Sequence, residues 1–277
     1  MINDLPGVVR SAGCLLFADD LKLFLGIENT SDQVSLQRDI DAVAEWSETN
    51  QLHFNTSKCK VIAFSRSRVP LVKQYNIKET VLDRVDEITD LGLTLDTRLN
   101  FRTHVTNICK KANRVLGFIM RVSSQFSDTR VSLLLYSAYV RSKLEFGACV
   151  WDPHESKYTL MIEKIQRKFA RFLYKRKFGF YPYLYPSLFV SGMVGLDTLE
   201  LRRKMLLLGH FYKLLCNQVS NPTALARIGL SVPPPRRLGV EGEGGAVVSR
   251  RRRRLFACPS TRTRWAANAP LQELLLF

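Results

Sequence analysis

The residues with the clearest potential for chemistry in this chain are two adjacent carboxylates, Asp19 and Asp20. They interrupt an apolar run, and beyond them Leu21, Leu23 and Leu25 alternate with other residues as one face of a strand does. Two strands joined by this short acidic segment predict a β-hairpin. Neighbouring carboxylates at a hairpin tip repel each other unless a cation neutralises them, and Mg²⁺ prefers hard oxygen ligands of this kind. The pattern therefore predicts a cation-binding tip; the alternative is a loop that is acidic without a binding role.

A long amphipathic helix is predicted to support this hairpin. Thr30 and Gln33 have the spacing of an N-cap and its capping-box partner. The apolar residues that recur every three or four positions are Leu36, Ile40, Val43 and Trp46. The acidic residues expected on the polar face are Asp39, Asp41, Glu45 and Glu48. We expect a core helix of about five turns that ends at Asn50 and packs beside the hairpin.

A lysine and a set of short strands follow the helix. Lys58 ends a predicted turn that leads into a strand, and it would lie near the acidic hairpin if that strand pairs within the hairpin's sheet. Its ammonium is either a solvated surface charge or a proton donor or phosphate contact. Short strands are predicted between Tyr75 and Asp96, where Leu91, Leu93 and Leu95 share one parity. Gly92 would let another backbone or a ligand approach closely.

Charge divides the sequence into an acidic and a basic part. Residues 1–100 carry 11 Lys and Arg against 15 Asp and Glu, whereas residues 101–277 carry 30 against 10. The whole chain has a net charge of +16. An excess of positive charge on one part of a chain is typical of proteins that contact phosphate.

Helical periodicity replaces the strand pattern after Asn100. Helices are predicted over residues 105–122, 129–146, 158–174 and 196–216, the last capped by Asp197 or Thr198. The basic residues on the first and third helices that we expect to contact nucleic acid are Lys110, Lys111, Arg114, Lys164, Arg167, Lys168 and Arg171. Aromatic residues are interleaved with the basic ones on the third helix, which suits a nucleic-acid backbone. A solvated basic face is the alternative.

Beyond residue 220 the composition changes again. Pro and Gly are frequent, and residues 231–254 are predicted to be disordered. A run of five basic residues adds to the expected nucleic-acid contacts: Arg250, Arg251, Arg252, Arg253 and Arg254. One helical turn is predicted over residues 271–277.

Composition excludes several classes of protein. The six cysteines occur singly and without CxxC spacing, so we expect buried, reduced thiols and neither a disulfide framework nor a zinc site. The four histidines are equally isolated. No apolar run reaches the roughly 18 residues of a membrane helix, and the first residues do not resemble a secretory signal. We therefore expect an intracellular protein that is neither secreted nor membrane-embedded; its oligomeric state is left open.

Together, these motifs resemble the reverse transcriptases of non-LTR retrotransposons, particularly the jockey-like mobile elements. The resemblance covers nearly the whole chain. The segments that carry it are Phe17-Ala18-Asp19-Asp20-Leu21-Lys22-Leu23-Phe24, the stretch from Trp46 to Asn55 with Lys58-Cys59-Lys60, Asp90-Leu91-Gly92-Leu93-Thr94-Leu95-Asp96 with Leu99, Phe101 and His104, and Leu144-Glu145-Phe146-Gly147 with Trp151 and residues 162–167. In that family the first of these segments is the catalytic hairpin of the palm.

The resemblance implies an α+β fold. Residues 1–100 would form a partial palm with primer-grip-like β-structure, residues 101–220 a helical thumb and downstream region, and residues 221–277 a largely disordered tail. The implied activity is RNA-directed DNA polymerisation, a nucleotidyl transfer that uses two Mg²⁺ ions. Its partners would be an RNA template and a DNA primer, and its location the nucleus.

Each candidate site residue takes a role from the resemblance. Asp19 would bind metal, Asp20 would support or share that binding, and Lys58 would assist the departing pyrophosphate. Leu91 and Gly92 would hold the primer terminus.

One feature departs from the family. Its polymerases need a further metal-binding aspartate on an earlier palm strand and fingers that hold template and nucleotide, and the 18 residues before Asp19 are too few for these. We therefore expect a 5′-truncated copy that is inactive as a polymerase. Two alternatives are a nucleic-acid-binding remnant without catalysis and an unrelated basic scaffold.

Overall fold

Short strands accompany one 3₁₀-helix and one long α-helix in the first hundred residues, and helices predominate after them. The computed structural model describes residues 2–65, 67, 73–226, 228–230 and 256–257. The chain divides into two compact units, with the junction between Phe101 and Arg102. At this level the fold is a mixture of helices and small sheets, as an α+β chain requires.

The predicted hairpin is confirmed. After a 3₁₀-helix over Ile2–Val8, strand β1 (Gly13–Phe17) pairs antiparallel with β2 (Asp20–Phe24). Phe17 lies opposite Asp20, so only two residues form the connecting loop.

The predicted helix is also confirmed, but its cap is one residue earlier than expected. Helix α1 spans Thr30–Thr49 and has Asn50 as its C-cap. Its N-cap is Asn29, not Thr30, and the reciprocal hydrogen bonds of the capping box join Asn29 to Asp32, not to Gln33. The Asp32 carboxylate also accepts a hydrogen bond from the backbone N–H of Glu28. Asn and Asp at these positions satisfy the orphan amides of the first turn.

Helix α1 packs beside the hairpin, as predicted. Leu5, Val43 and Trp46 form the buried centre of the first unit. The hairpin residues packed against this centre are Cys14, Leu16, Leu21 and Leu23. Removing this apolar surface from water holds the hairpin on the helix.

The remaining strands of the first unit are short. Their bounds are β3 (Lys60–Val61), β4 (Asn76–Ile77), β5 (Thr80–Val81), β6 (Asp83–Arg84), β7 (Glu87–Asp90) and β8 (Leu93–Asp96). Strand β3 pairs with β6 in parallel, while β4 pairs with β5 and β7 with β8 as antiparallel hairpins. Every sheet within the described residues has two strands.

The second unit contains the four predicted helices and several shorter ones. They are α2 (Arg102–Ser123), α3 (Thr129–Tyr136), a π-helical turn over Ser137–Arg141, α4 (Ser142–Glu145), α5 (Ala148–Trp151), α6 (Ser156–Phe178), α7 (Ser187–Met193), α8 (Leu199–Leu215) and α9 (Pro222–Ala226). The π turn joins α3 and α4, so the helix predicted over residues 129–146 forms with altered pitch in its middle. Thr198 is the N-cap of α8.

Two short strands lie in the region beyond residue 220, where the sequence predicts a largely disordered tail. Strands β9 (Gly229–Leu230) and β10 (Phe256–Ala257) pair antiparallel, which brings together the two sides of the segment predicted to be disordered. Residues 231–254 and 271–277 lie outside the described residues, so both predictions made for them stay predictions.

The core of the second unit lies between α2 and α6. Leu116 of α2 and Ile162 of α6 are fully buried. The Tyr136 ring stacks on Phe169 with centroids 4.1 Å apart, and its hydroxyl donates to Gln166 Oε1 at 3.0 Å. A buried ion pair joins Arg203 Nε to Asp152 Oδ1 at 2.5 Å.

The described cysteines carry free thiols, as predicted, but they are not all buried. Cys109 is buried, whereas Cys216 is exposed at the end of α8. Burial raises the pKa of the Cys109 thiol to about 11, which keeps it protonated and unreactive at neutral pH. Within the described ranges, no helix is both long and apolar enough to cross a membrane.

Candidate functional site

The tip of the first hairpin presents both candidate carboxylates to solvent. Ala18 and Asp19 form the two-residue loop, and Asp20 is the first residue of β2. Asp19 and Asp20 are exposed. Ala18 has a φ of 52°, a left-handed conformation that costs a non-glycine residue on the order of 1 kcal/mol. Two-residue hairpin turns require a positive φ at the first loop residue, so the turn itself accounts for this strain.

The two faces of the hairpin differ in what they contact. Leu21 and Leu23 face the core of the first unit, so Asp20 lies with Lys22 and Phe24 on the opposite face. That outer face is open, because Leu15, Phe17 and Phe24 are exposed. The Lys22 ammonium pairs with Asp90 Oδ1 at 2.6 Å, which ties the hairpin to strand β7.

Asp39 positions the start of the hairpin, a role that the sequence pattern did not reveal. We predicted Asp39 on the polar face of α1, but it is 3% exposed. Its carboxylate accepts hydrogen bonds from the backbone N–H groups of Arg10, Ser11 and Ala12 at 3.0, 2.8 and 2.6 Å. Burial alone would raise its pKa, but the three amide donors and the Arg10 charge together lower the pKa below its usual value.

Replacing Asp39 with Ala is expected to destabilise the protein by about 2–4 kcal/mol, because three amides that now bond to a charged acceptor lose it. Since the pKa of the folded state is lowered, this contribution is present above the unfolded pKa of about 4 and is lost as the pH falls through the folded value. Urea unfolding at pH 7 gives the loss of unfolding free energy, and the same measurement at pH 3 shows how much of that loss disappears in acid. Asp41→Ala, an exposed change on the same helix, is the control; equal losses from both variants would contradict the prediction.

Lys58 does not lie in the hairpin's sheet. It is exposed, in the turn before β3. Strand β3 pairs with β6, not with β1 or β2, so the condition on which we placed Lys58 near the hairpin is not met. Its role in assisting a leaving pyrophosphate stays a prediction that rests on the family resemblance.

Leu91 and Gly92 form the two-residue loop between β7 and β8. Their φ angles are 45° and 83°, and positive φ at both loop residues is the mark of a type I′ hairpin turn. Gly92 therefore has a local reason to be glycine. Leu91, which we predicted to share a strand face with Leu93 and Leu95, is instead an exposed loop residue.

The hairpin tip has the donor chemistry for a magnesium ion. Asp19 and Asp20 supply hard carboxylate oxygens, which suit Mg²⁺. Within the described residues, no group of three or more His, Cys, Asp or Glu side chains is arranged to hold a metal. A cation at the tip would therefore keep most of its water ligands, as Mg²⁺ does at sites with few protein donors.

The basic residues of the second unit form exposed faces on two of its helices. Residues 102–226 carry 20 Lys and Arg against 7 Asp and Glu, a net charge of +13. The predicted contacts that are exposed are Lys110, Lys111 and Arg114 on α2 and Lys164, Arg167 and Lys168 on α6. In each helix they follow one another at intervals of one, three or four residues and so share a face. Arg250 to Arg254 lie outside the described residues.

Three aromatic residues interleaved with the basic ones of α6 are turned away from that basic face. Phe169 and Tyr174 are buried and Phe172 is half-buried, so the interleaved pattern over these residues reflects core packing. Phe178, the last residue of the helix, is exposed. Arg171 is half-buried and donates to the Pro182 carbonyl at 3.2 Å. Among the basic residues of α6 predicted to contact nucleic acid, Arg171 therefore uses part of its guanidinium to hold the loop between α6 and α7.

Arg176 has a structural role that composition did not indicate. Its guanidinium donates to the carbonyls of Ser123 and Phe126 and, at 3.1 Å, to the Ser132 hydroxyl. Ser123 is the last residue of α2, so a cation satisfies acceptors at the negative end of that helix. His104 is likewise internal: it lies 5.3 Å from the Trp151 ring, and burial lowers its pKa.

Comparison with known proteins gives one partial similarity. The chain is 28% identical over 93 residues to the uncharacterized protein B0403.1 of Caenorhabditis elegans, a match that covers 33% of this chain and 46% of the relative. The matched region thus spans about half the length of that curated relative. No family model matches the chain. No solved structure matches it.

Proposed function

We propose that this chain derives from the reverse transcriptase of a non-LTR retrotransposon and that its first hairpin corresponds to the catalytic hairpin of the palm. The observation that carries the proposal is the position of Ala18-Asp19-Asp20 at the tip of an antiparallel hairpin backed by an amphipathic helix. Adjacent exposed carboxylates repel each other unless a cation neutralises them, so a role in binding a divalent cation would account for the pair.

The roles of the residues follow from their chemistry. Asp19 and Asp20 would hold a divalent cation, which supplies charge stabilisation at the phosphate that reacts. Asp39 and the core beneath β1 and β2 hold the hairpin in place. The charge of Lys22 on the outer face is partly neutralised by Asp90. Lys22 therefore repels a cation at the tip less than an unpaired lysine would.

Binding of Mn²⁺, a spectroscopic substitute for Mg²⁺, tests the proposal directly. We expect weak binding, with a Kd of about 0.1–1 mM, because the tip offers few ligands. Titration followed by paramagnetic broadening of amide signals should show the strongest effect at residues 17–21. Asp19→Asn with Asp20→Asn should abolish that local effect.

The control for this experiment changes the charge by the same amount elsewhere. Asp83 and Asp86 are exposed acidic residues of the same unit. Replacing both with Asn should leave broadening at the tip unchanged. Equal loss in the two double variants would show that only the overall negative charge attracts the ion, and would contradict a site at the tip.

The second candidate function is nucleic-acid binding without catalysis. The observation that favours it is the charge of the second unit, with exposed basic faces on α2 and α6. Phosphate contacts from Lys and Arg supply affinity that is independent of sequence and sensitive to salt. The two proposals are compatible, because phosphate contacts from α2 and α6 do not depend on chemistry at the hairpin tip. A nuclear location belongs to the same proposal.

A further inference from the structure

Helix α8 has an apolar stripe that is exposed to solvent. Leu201, Met205, Leu208, Tyr212 and Leu215 follow one another at intervals of four, three, four and three residues. Their exposed fractions are 50%, 59%, 48%, 62% and 42%. This spacing is the heptad pattern by which helices pair along an a/d seam.

The stripe is separate from the face by which α8 joins its own unit. Leu199, Arg203, Leu207, Phe211 and Leu214 are the buried residues of the helix. At about 100° per residue, the centre of this buried face lies about 140° around the helix from the centre of the stripe. The helix is therefore apolar on two sides, and only one of them is used within the described part of the chain.

We infer that this stripe is a self-association surface, on which α8 of one copy of the chain packs against α8 of a second copy. A heptad stripe is complementary to itself, because a two-fold axis places the same residues of both helices in one seam. This inference is independent of the proposed function and rests on α8 alone.

The size of the stripe sets the strength of the pairing. With about half of each side chain exposed, the five residues offer about 500 Å² per copy, as much as the largest apolar patch on a typical monomer. Two copies together would bury about 1,000 Å², near the lower limit for a specific interface. We therefore expect a weak dimer with a Kd of about 1–100 µM.

Charges beside the stripe determine how salt acts on the dimer. Lys204 flanks the stripe on one side, and Arg202 and Lys213 flank it on the other. Within the same chain, Lys204 pairs with Glu200 and Arg202 pairs with Glu145. The flanks are thus neutral or positive and repel their copies. Added salt screens this repulsion and should strengthen dimerisation, whereas it weakens nucleic-acid binding.

Sedimentation equilibrium of the full chain under reducing conditions tests the inference, with the reductant preventing disulfides through Cys216. We expect a mass that rises from 31.7 kDa toward twice that value between about 1 and about 100 µM. Leu208→Glu should raise the dimer Kd at least tenfold, because it places two like charges in the seam.

The matched control is Leu206→Glu. Leu206 is also exposed, but two positions from Leu208 place it roughly 160° around the helix, outside the stripe. It should dimerise like the wild type. Met205→Ser, which adds no charge, should weaken the dimer by a smaller factor, and circular dichroism shows whether each variant is folded. A folded wild type that stays monomeric at about 100 µM would overturn the inference and leave the stripe to another protein or to the leucine-rich residues 271–277. Equal weakening by Leu206→Glu and Leu208→Glu would also overturn it.

Discussion

The purified chain is expected to add no nucleotides to a primer, with either Mg²⁺ or Mn²⁺ present. Two-metal transfer requires two ions held a few ångströms apart by a shared set of carboxylates. By resemblance, a further aspartate on an earlier palm strand would complete that set. The carboxylate that precedes the tip within the described residues is Asp4, which lies in the 3₁₀-helix and accepts a hydrogen bond from the Trp46 indole at 3.2 Å. It is occupied in fixing the core and is not on a strand.

The positioning of the incoming nucleotide leads to the same expectation. Much of phosphoryl-transfer catalysis comes from holding the triphosphate in line with the attacking hydroxyl. Within residues 2–65, 67 and 73–101, the candidate groups are an acidic hairpin tip and an exposed Lys58 in a turn that belongs to another pair of strands. Without groups that hold the triphosphate in line, most of the activation barrier to nucleotidyl transfer remains. One loosely bound cation at the tip would lower that barrier only slightly.

A primer-extension assay with an RNA template and a DNA primer measures this outcome, beside an Asp19→Ala, Asp20→Ala variant. We expect no product from either protein. Extension by the wild type and not by the variant would show that the hairpin supports catalysis in this chain, and would refute the expectation of inactivity. Extension by both would indicate a contaminating polymerase.

Replacing Lys164, Arg167 and Lys168 with Ser is expected to weaken nucleic-acid binding by about 100- to 1,000-fold at about 0.1 M salt. The three side chains are exposed on one face of α6 and point away from its buried residues. If each neutralises one phosphate of a duplex, the slope of log K against log salt should fall by about 2 to 3. Fluorescence anisotropy over a range of salt concentrations gives both quantities. Little preference among sequences is expected, because phosphates carry no sequence information.

The control for this experiment removes the same charge from the acidic unit. Lys60 and Lys78 are exposed and Lys73 is half-buried in the first unit. Replacing these three with Ser changes the net charge equally, and should leave the salt slope unchanged. An equal change in both triple variants would refute a site on α6 and show that net charge alone drives binding.

Replacing Arg250 to Arg254 with serine should lower the nucleic-acid affinity and the salt slope further. An unchanged salt slope would show that this run makes no contact with the nucleic acid.

The sequence by itself determined the elements and their order. Alternation around Asp19 and Asp20 predicted the hairpin, and the repeat from Leu36 to Trp46 predicted α1, because both periods follow from local backbone geometry. The change to helical periodicity near Asn100 likewise located the first helix of the second unit. The charge of each helix face could also be predicted, because exposed Lys and Arg on α2 and α6 follow the same period.

Tertiary structure decided which residues those elements bring together. The pattern put Asp39 with the polar residues of α1, but the chain before β1 folds back and buries it against three amides, a contact across 27 or more residues. The pairing of β3 with β6, which removes Lys58 from the hairpin's sheet, depends on strands 22 or more residues apart. On α6 the sequence pattern interleaves aromatic with basic residues, and on α8 apolar residues recur throughout the helix. Only packing revealed that Phe169 and Tyr174 of α6 face inward while one stripe of α8 faces water, because burial depends on neighbours that local sequence does not specify.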